Sequence, residues 1–303
     1  MMDPLHCNLG KLQMKNPVTV ASGCFGSGKE FKDFYELSLL GGIMVKGTTP
    51  EKRVGNHPQR LVETSGGVIN SIGLANGGVD DFIANILPEA KTYGTEIIVN
   101  ISGGSVEDYG FMAEKLSIDG VSALEVNISC PNVKEGGIVF GTDPDQARAV
   151  ARMVKANTDK PVIMKLSPNV TDIALMAQAV EDGGADIISL INTLIGMAVD
   201  VEKRKPVIHN IIGGYSGPPV KPVALRMVYE VYKAVEIPII GIGGIMNVTD
   251  ALEFIMAGAT AISVGTGNFV DPFIPIDIIK GLDEYLKKHK LDSYRELIGI
   301  IHR

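Results

Sequence analysis

Apolar residues gather into eight short runs rich in Val, Ile and Ala, and the stretches between most of them repeat their apolar positions every three or four residues. The runs are Pro17–Ala21, Gly42–Gly47, Glu96–Ser102, Ala123–Ser129, Pro161–Ser167, Asp186–Thr193, Pro238–Gly243 and Ala261–Gly265. Runs this short and β-branched predict buried strands. Helical spacing covers Val79–Tyr93, Val106–Leu116, Pro144–Asn157, Val170–Asp182, Pro222–Val235, Val248–Ala257 and Ile276–Lys288. Asp143 supplies an N-cap with Pro144 at the first helical position, and Gly183-Gly184 forms a helix stop. Strands that alternate with helices pair in parallel through right-handed crossovers. Eight such units predict a closed α/β fold, a (β/α)8 TIM barrel, in preference to an open doubly wound sheet.

Ahead of the first run, Leu5–Leu9 and Lys11–Lys15 predict an N-terminal β-hairpin that plugs the barrel floor. The long connections Thr48–Gly78, Cys130–Asp143 and Leu194–Val220 all follow strands. They therefore belong to the C-terminal face, where barrels of this kind build their sites. No repeat or interdomain linker interrupts the pattern, so residues 1–303 read as one barrel domain.

Composition narrows the picture. The 303 residues are 45% hydrophobic, enough for a large core. The net charge of -7, without a dense Lys/Arg block, argues against nucleic acid. The amino terminus lacks a signal-peptide layout and no apolar run is long enough to span a bilayer, so a cytoplasmic, membrane-free protein is expected. Three cysteines without C-x-x-C spacing and five scattered histidines predict no metal, disulfide or iron–sulfur site in this chain.

Polar residues close five consecutive apolar runs. These are Lys46, Asn100, Asn127, Lys165 and the pair Asn192-Thr193. Any one alone reads as a satisfied strand terminus, but five at the same rank predict a shared pocket. Carboxamides offer both donors and acceptors to a flat ligand, and lysines suit one that carries or develops negative charge. A buried lysine could instead form a Schiff base. Strands seven and eight end in Gly241-Ile242-Gly243-Gly244 and Gly265-Thr266-Gly267-Asn268, where barrels bind phosphate through backbone N–H groups. Gly213-Gly214-Tyr215-Ser216-Gly217-Pro218-Pro219 could close over the same phosphate, which could belong to a substrate or to a flavin mononucleotide. Neither glycine stretch fits G-x-G-x-x-G, so a Rossmann dinucleotide site is not supported.

Of the cysteines, Cys7 reads as structural, in the floor hairpin. Cys24, after Ser22-Gly23, shares the active face with Cys130. Cys130 has the better context, with Asn127, Ser129 and Asn132 beside it and Gly136, Gly137 and Gly141 hinging the loop. No histidine neighbours it in sequence, so a general base or acid suits it better than a protease-type nucleophile. A barrel that only binds a phosphorylated ligand would not require this thiol.

These residues resemble class 1 dihydroorotate dehydrogenases from roughly Asn16 to Asn268. The motifs are Val45-Lys46-Gly47-Thr48, Asn70-Ser71-Ile72-Gly73-Leu74, Asn127-Ile128-Ser129-Cys130-Pro131-Asn132, Ile191-Asn192-Thr193, Gly214-Tyr215-Ser216-Gly217, Gly243-Gly244 and Gly265-Thr266. The loop Lys134–Pro144 and the run Asn192–Ala198 are similar to class 1B. Class 2 features, a serine base and an amino-terminal membrane segment, are missing. Departures are Asn76-Gly77-Gly78, where proline is expected after asparagine, Cys24, where threonine is usual, and Ile211-Ile212 before the double glycine.

The resemblance implies oxidation of dihydroorotate to orotate in pyrimidine biosynthesis, with Cys130 as base and FMN as hydride acceptor. Lys46, Asn70, Ser71, Ile72, Gly73, Leu74, Asn127, Asn132, Asn192 and Thr193 would bind substrate. Ser22, Lys46, Gly47, Asn100, Asn127, Lys165, Ile191, Gly217, Gly243, Gly244, Gly265 and Thr266 would bind FMN. Electrons would pass to NAD+ through a partner subunit with FAD and a [2Fe–2S] cluster, around a homodimer core within a heterotetramer. The alternatives are a class 1A-like fumarate-dependent homodimer and an aldolase-type barrel using Lys46 or Lys165.

Overall fold

The computed structural model describes residues 3–129 and 137–303. Eight parallel strands close into a barrel in sequence order: β1 (Val18–Val20), β2 (Gly42–Thr48), β3 (Glu96–Ile101), β4 (Ala123–Asn127), β5 (Val162–Lys165), β6 (Ile187–Leu190), β7 (Ile239–Ile242) and β8 (Ala261–Val264). Each expected run holds one of them, mostly trimmed at the ends. The strands are almost wholly buried because barrel interior and helix layer cover both faces. Their apolar side chains form one continuous core with the surrounding helices.

The helices follow their caps. Asp143 caps Pro144–Ala156 by accepting from the N–H groups of Asp145 and Gln146 at 2.8 and 3.1 Å. The helix expected from Val170 starts later, at Ile173–Asp182, because Asp172 accepts from Leu175 N–H and sets the boundary. Val79–Tyr93 is helical but not uniform. A wide π turn at Phe82–Ile86 precedes Pro88, which has no N–H to give to a regular i−4 bond.

The hairpin forms between Cys7–Leu9 and Leu12–Met14. It lies at the floor, where Cys7 Sγ contacts the carbonyl of Thr260, just ahead of β8, at 3.7 Å. Tyr294 Oη donates to the same carbonyl at 3.0 Å, tying the C-terminal segment to the plug.

Two of the three long connections are not loops. Leu61–Glu63, Val68–Asn70, Ile212–Ser216 and Leu194–Met197 pair in that order as an antiparallel sheet, built from the connections after β2 and β6. Gly214 lets this sheet close, since a Cβ there would lie 2.0 Å from Thr193 Oγ1. The third connection continues as a helix over Gly137–Thr142. Phe140 is buried edge-on against Tyr109 at 5.8 Å, and a Cβ on Gly141 would meet the Ile128 carbonyl at 2.5 Å. Gly141 therefore serves close packing here, not the hinge expected of it.

Leu9 is fully buried in the floor hairpin. Leu9→Ala should destabilise the protein by about 2–5 kcal/mol, read from urea unfolding. A loss under about 0.5 kcal/mol would mean that the hairpin does not plug the core.

Candidate active site

The C-terminal ends of the strands and the antiparallel sheet enclose a cavity of about 300 Å³. Alternation puts every second strand residue inward, so Lys46, Asn100, Asn127 and Lys165 reach it from β2, β3, β4 and β5. Asn192 and Thr193 reach it from just beyond β6, where Asn192 N–H still pairs with the Leu166 carbonyl at 3.0 Å. Asn70, Ile72, Gly73 and Leu74 enter from the connection after β2, and Ser22 follows β1. Gly47, Ile191, Gly217, Gly243, Gly244, Gly265 and Thr266 also line it. Ser71 does not: it is buried, with its hydroxyl accepting from Asn56 Nδ2 at 3.0 Å, and so braces the connection from behind. Cys130 and Asn132 lie outside the described residues.

Polar groups around the cavity are held by one another. Asn127 Oδ1 accepts from Ser129 N–H and Ser129 Oγ at 3.2 and 3.0 Å, and from Asn192 Nδ2 at 3.3 Å. Asn192 Nδ2 also donates to Ser129 Oγ at 2.7 Å, while its Oδ1 accepts from Thr193 N–H at 2.8 Å. Buried Tyr109 donates to the Asn127 carbonyl at 2.9 Å and fixes the strand end that leads to Cys130. Asn70 Nδ2 donates to the Gly214 carbonyl at 3.1 Å, locking it to the sheet. Lys46 forms no ion pair among the described residues, so its ammonium remains available to an anion.

Beneath this ring lies a residue that strand-end counting did not single out. Glu125, on the face of β4 shared with Asn127, is fully buried. It accepts from Asn100 Nδ2 at 2.5 Å, Ser189 Oγ at 2.9 Å and Lys165 Nζ at 3.3 Å. A signal was present in the sequence: a lone carboxylate between apolar residues, two positions before Asn127.

The glycines meet as expected of an anion cradle. A Cβ on Gly244 would lie 2.9 Å from the Gly217 carbonyl, so the strand-seven turn and the third glycine segment touch. A Cβ on Gly265 would find nothing nearer than Ala21 Cβ and Cys24 Sγ, at 3.8 and 3.9 Å, so the space beside it is the cavity itself. Among the described residues, the N–H groups of Gly244, Gly265 and Thr266 donate to no protein acceptor in these turns. Such grouped donors suit a phosphate. Tyr215, Ser216, Val220, Ile242 and Phe269 are among the further lining residues and were not expected. Tyr215 and Ser216 lie within the third glycine segment, and the sheet pairing carries them to the cavity.

The sequence profile of the dihydroorotate dehydrogenase family matches residues 4–286. The chain belongs to that family. Among its relatives are proteins named dihydroorotate dehydrogenase B (NAD(+)), catalytic subunit. The one from Desulforamulus reducens is 58% identical, with 98% of each chain covered. That from Bacteroides thetaiotaomicron is 52% identical, with 99% of each covered. The cavity described above takes lining residues from each of the motifs named in the sequence, as far as the structure describes them.

Two thiols are described, and both are free. Cys24 lines the cavity but burial pushes its thiol up to about 11, against the opposing pull of Lys165 and Thr266. Burial pushes Cys7 up to about 12. Both shifts hold these two thiols protonated at neutral pH. Alkylation of Cys24 by iodoacetamide at pH 7 should run about 100-fold slower than that of an ordinary thiol, following the thiolate fraction. Mass spectrometry of timed digests measures it, and an ordinary rate would mean that Cys24 is ionised.

Proposed function

We propose that this chain oxidises dihydroorotate to orotate and that its cavity holds flavin mononucleotide together with the substrate. The observation that carries this reading is one cavity with two unlike ends. Lysines and carboxamides from five strands meet at one end, and unpaired backbone N–H groups of the seventh and eighth strand turns at the other. That donor set fits a planar, polar ring joined to a phosphate. The relatives' names, dehydrogenase acting on dihydroorotate with NAD(+), describe the same chemistry.

Orotate forms when C5 of dihydroorotate loses a proton and C6 a hydride, leaving a C5=C6 double bond. FMN, when bound, supplies the hydride acceptor. Cys130 takes the C5 proton, an assignment that rests on the sequence motif. Asn127 and Asn192, fixed through Ser129, hold the substrate ring with Asn70, Asn132 and Thr193, and Lys46 meets its carboxylate. Ile72, Gly73 and Leu74 cover it. Lys165 and Asn100 face the flavin ring, with Ser22, Gly47 and Ile191 beside it, and Gly217, Gly243, Gly244, Gly265 and Thr266 hold its phosphate. Lys165 Nζ lies 3.3 Å from Glu125 Oε2, a contact that a Schiff-base role for this lysine would have to break.

The words catalytic subunit in the relatives' names support a further partner. In our reading it is an electron-transfer subunit with FAD and a [2Fe–2S] cluster that delivers electrons to NAD+, in a heterotetramer around a homodimer of this chain. No helix among the described residues is long and apolar enough to cross a membrane, and our reading places the enzyme in the cytoplasm.

Purified protein should show a flavin absorbance band that anaerobic dihydroorotate bleaches; a colourless chain would refute the reading. Cys130→Ser should lower the rate of that bleaching at neutral pH by about 10²–10⁴-fold. For the parent chain the rate should climb with pH as the thiol ionises, around its ordinary value of about 8.5. The serine variant should need more alkaline solution. Full turnover of Cys130→Ser at pH 7 would remove Cys130 from the role.

A further inference from the structure

Glu125 has no place in the reaction just described, yet it is a fully buried carboxylate in the barrel interior. An unpaired carboxylate there would be several kcal/mol uphill, and an aliphatic residue would fill the layer without that cost. What it does is visible in its partners. Three donors from three strands converge on it: Asn100 from β3, Lys165 from β5 and Ser189 from β6. Asn100 and Lys165 both line the cavity, whereas Glu125 and Ser189 do not.

An ionised carboxylate only accepts hydrogen bonds. Asn100 must therefore turn its Nδ2 down toward Glu125, leaving Oδ1 on the cavity side. The packing agrees, because a Cβ on Gly47, a cavity residue, would lie 2.9 Å from Asn100 Oδ1. Glu125 Oε2 is shared between Asn100 and Lys165, so one oxygen fixes both. The cavity wall thus offers an acceptor from β3 and a cation from β5, in a set order. The cation is also offset by the negative charge beneath it, so the pair presents a dipole with its positive end toward the cavity.

We infer that Glu125 is a positioning residue: it sets Asn100 as acceptor and Lys165 as donor toward the flavin ring and moderates the positive charge that the ring meets. This rests on the flavin reading above. Charge close to a flavin ring tunes its reduction potential, positive charge favouring the reduced, more anionic form.

The test is the midpoint potential of the bound flavin, measured by dye-referenced anaerobic reduction of three holoproteins: the parent, Glu125→Gln, and Glu125→Gln with Lys165→Met. The single variant leaves Lys165 without its counter-charge, and its potential should shift above the parent's. The double variant removes the whole dipole, so its potential should fall below the parent's. Removing both charges together leaves neither stranded, so the double variant should fold even where the single one does not. In that case its position below the parent still decides. FMN affinity for the apoprotein should drop about tenfold or more in the single variant, because its amide can no longer hold Asn100 in one orientation. A single variant with the parent's potential and affinity, or a double variant at or above the parent, would overturn the inference and leave the flavin reading standing. A parent protein without flavin would overturn both.

Discussion

Closure of eight parallel strands into a barrel is the constraint on which everything else in this molecule depends. With no free edge, each strand must turn alternate residues inward, and the interior has no water with which to solvate them. Polar side chains can then stand only at the strand ends or in fully satisfied groups. Lys46, Asn100, Asn127 and Lys165 take the first course and Glu125 with Ser189 the second. The site is thus the place where the barrel stops being able to bury its own side chains.

The barrel alone leaves this place open to solvent. The antiparallel sheet built from the connections after β2 and β6 covers it, and binds itself to the rim through Thr266 Oγ1, which donates to Ser216 Oγ at 2.9 Å. Its strands also carry Asn70 and Tyr215 to the cavity. The roof and one wall of the site are therefore the same element. A change that loosens the pairing of Val68–Asn70 with Ile212–Ser216 would disturb both.

The barrel was legible in the sequence because strand and helix periods are local signals, and each unit repeats them. The roof was not. Val68–Asn70 pairs with nearby Leu61–Glu63 but finds its other partner more than a hundred residues later in the chain, and its three residues are too few for a period to emerge. Leu194–Met197 was likewise absorbed into a connection. The strand-end residues were found because five neighbours end alike, whereas Glu125 stands in mid-strand and has no counterpart on its neighbours. Its meaning depends on which residues the closed barrel brings to it, and only the register of β3, β4, β5 and β6 settles that.

The three cysteines illustrate the same division between sequence and structure. Sequence context ranked Cys130 above Cys24 on the amides around it, a judgement that left Cys24 in contention on the same face. Of the two, the structure describes Cys24, and there solvation decides. Cys24 sits where burial outweighs the stabilising effect of Lys165, so its proton stays on at neutral pH. Lys165, which pulls that thiol the other way, is itself ion-paired with Glu125. The buried carboxylate also sets how the amide of Asn100 is turned. The chemistry of the rim is set one layer down.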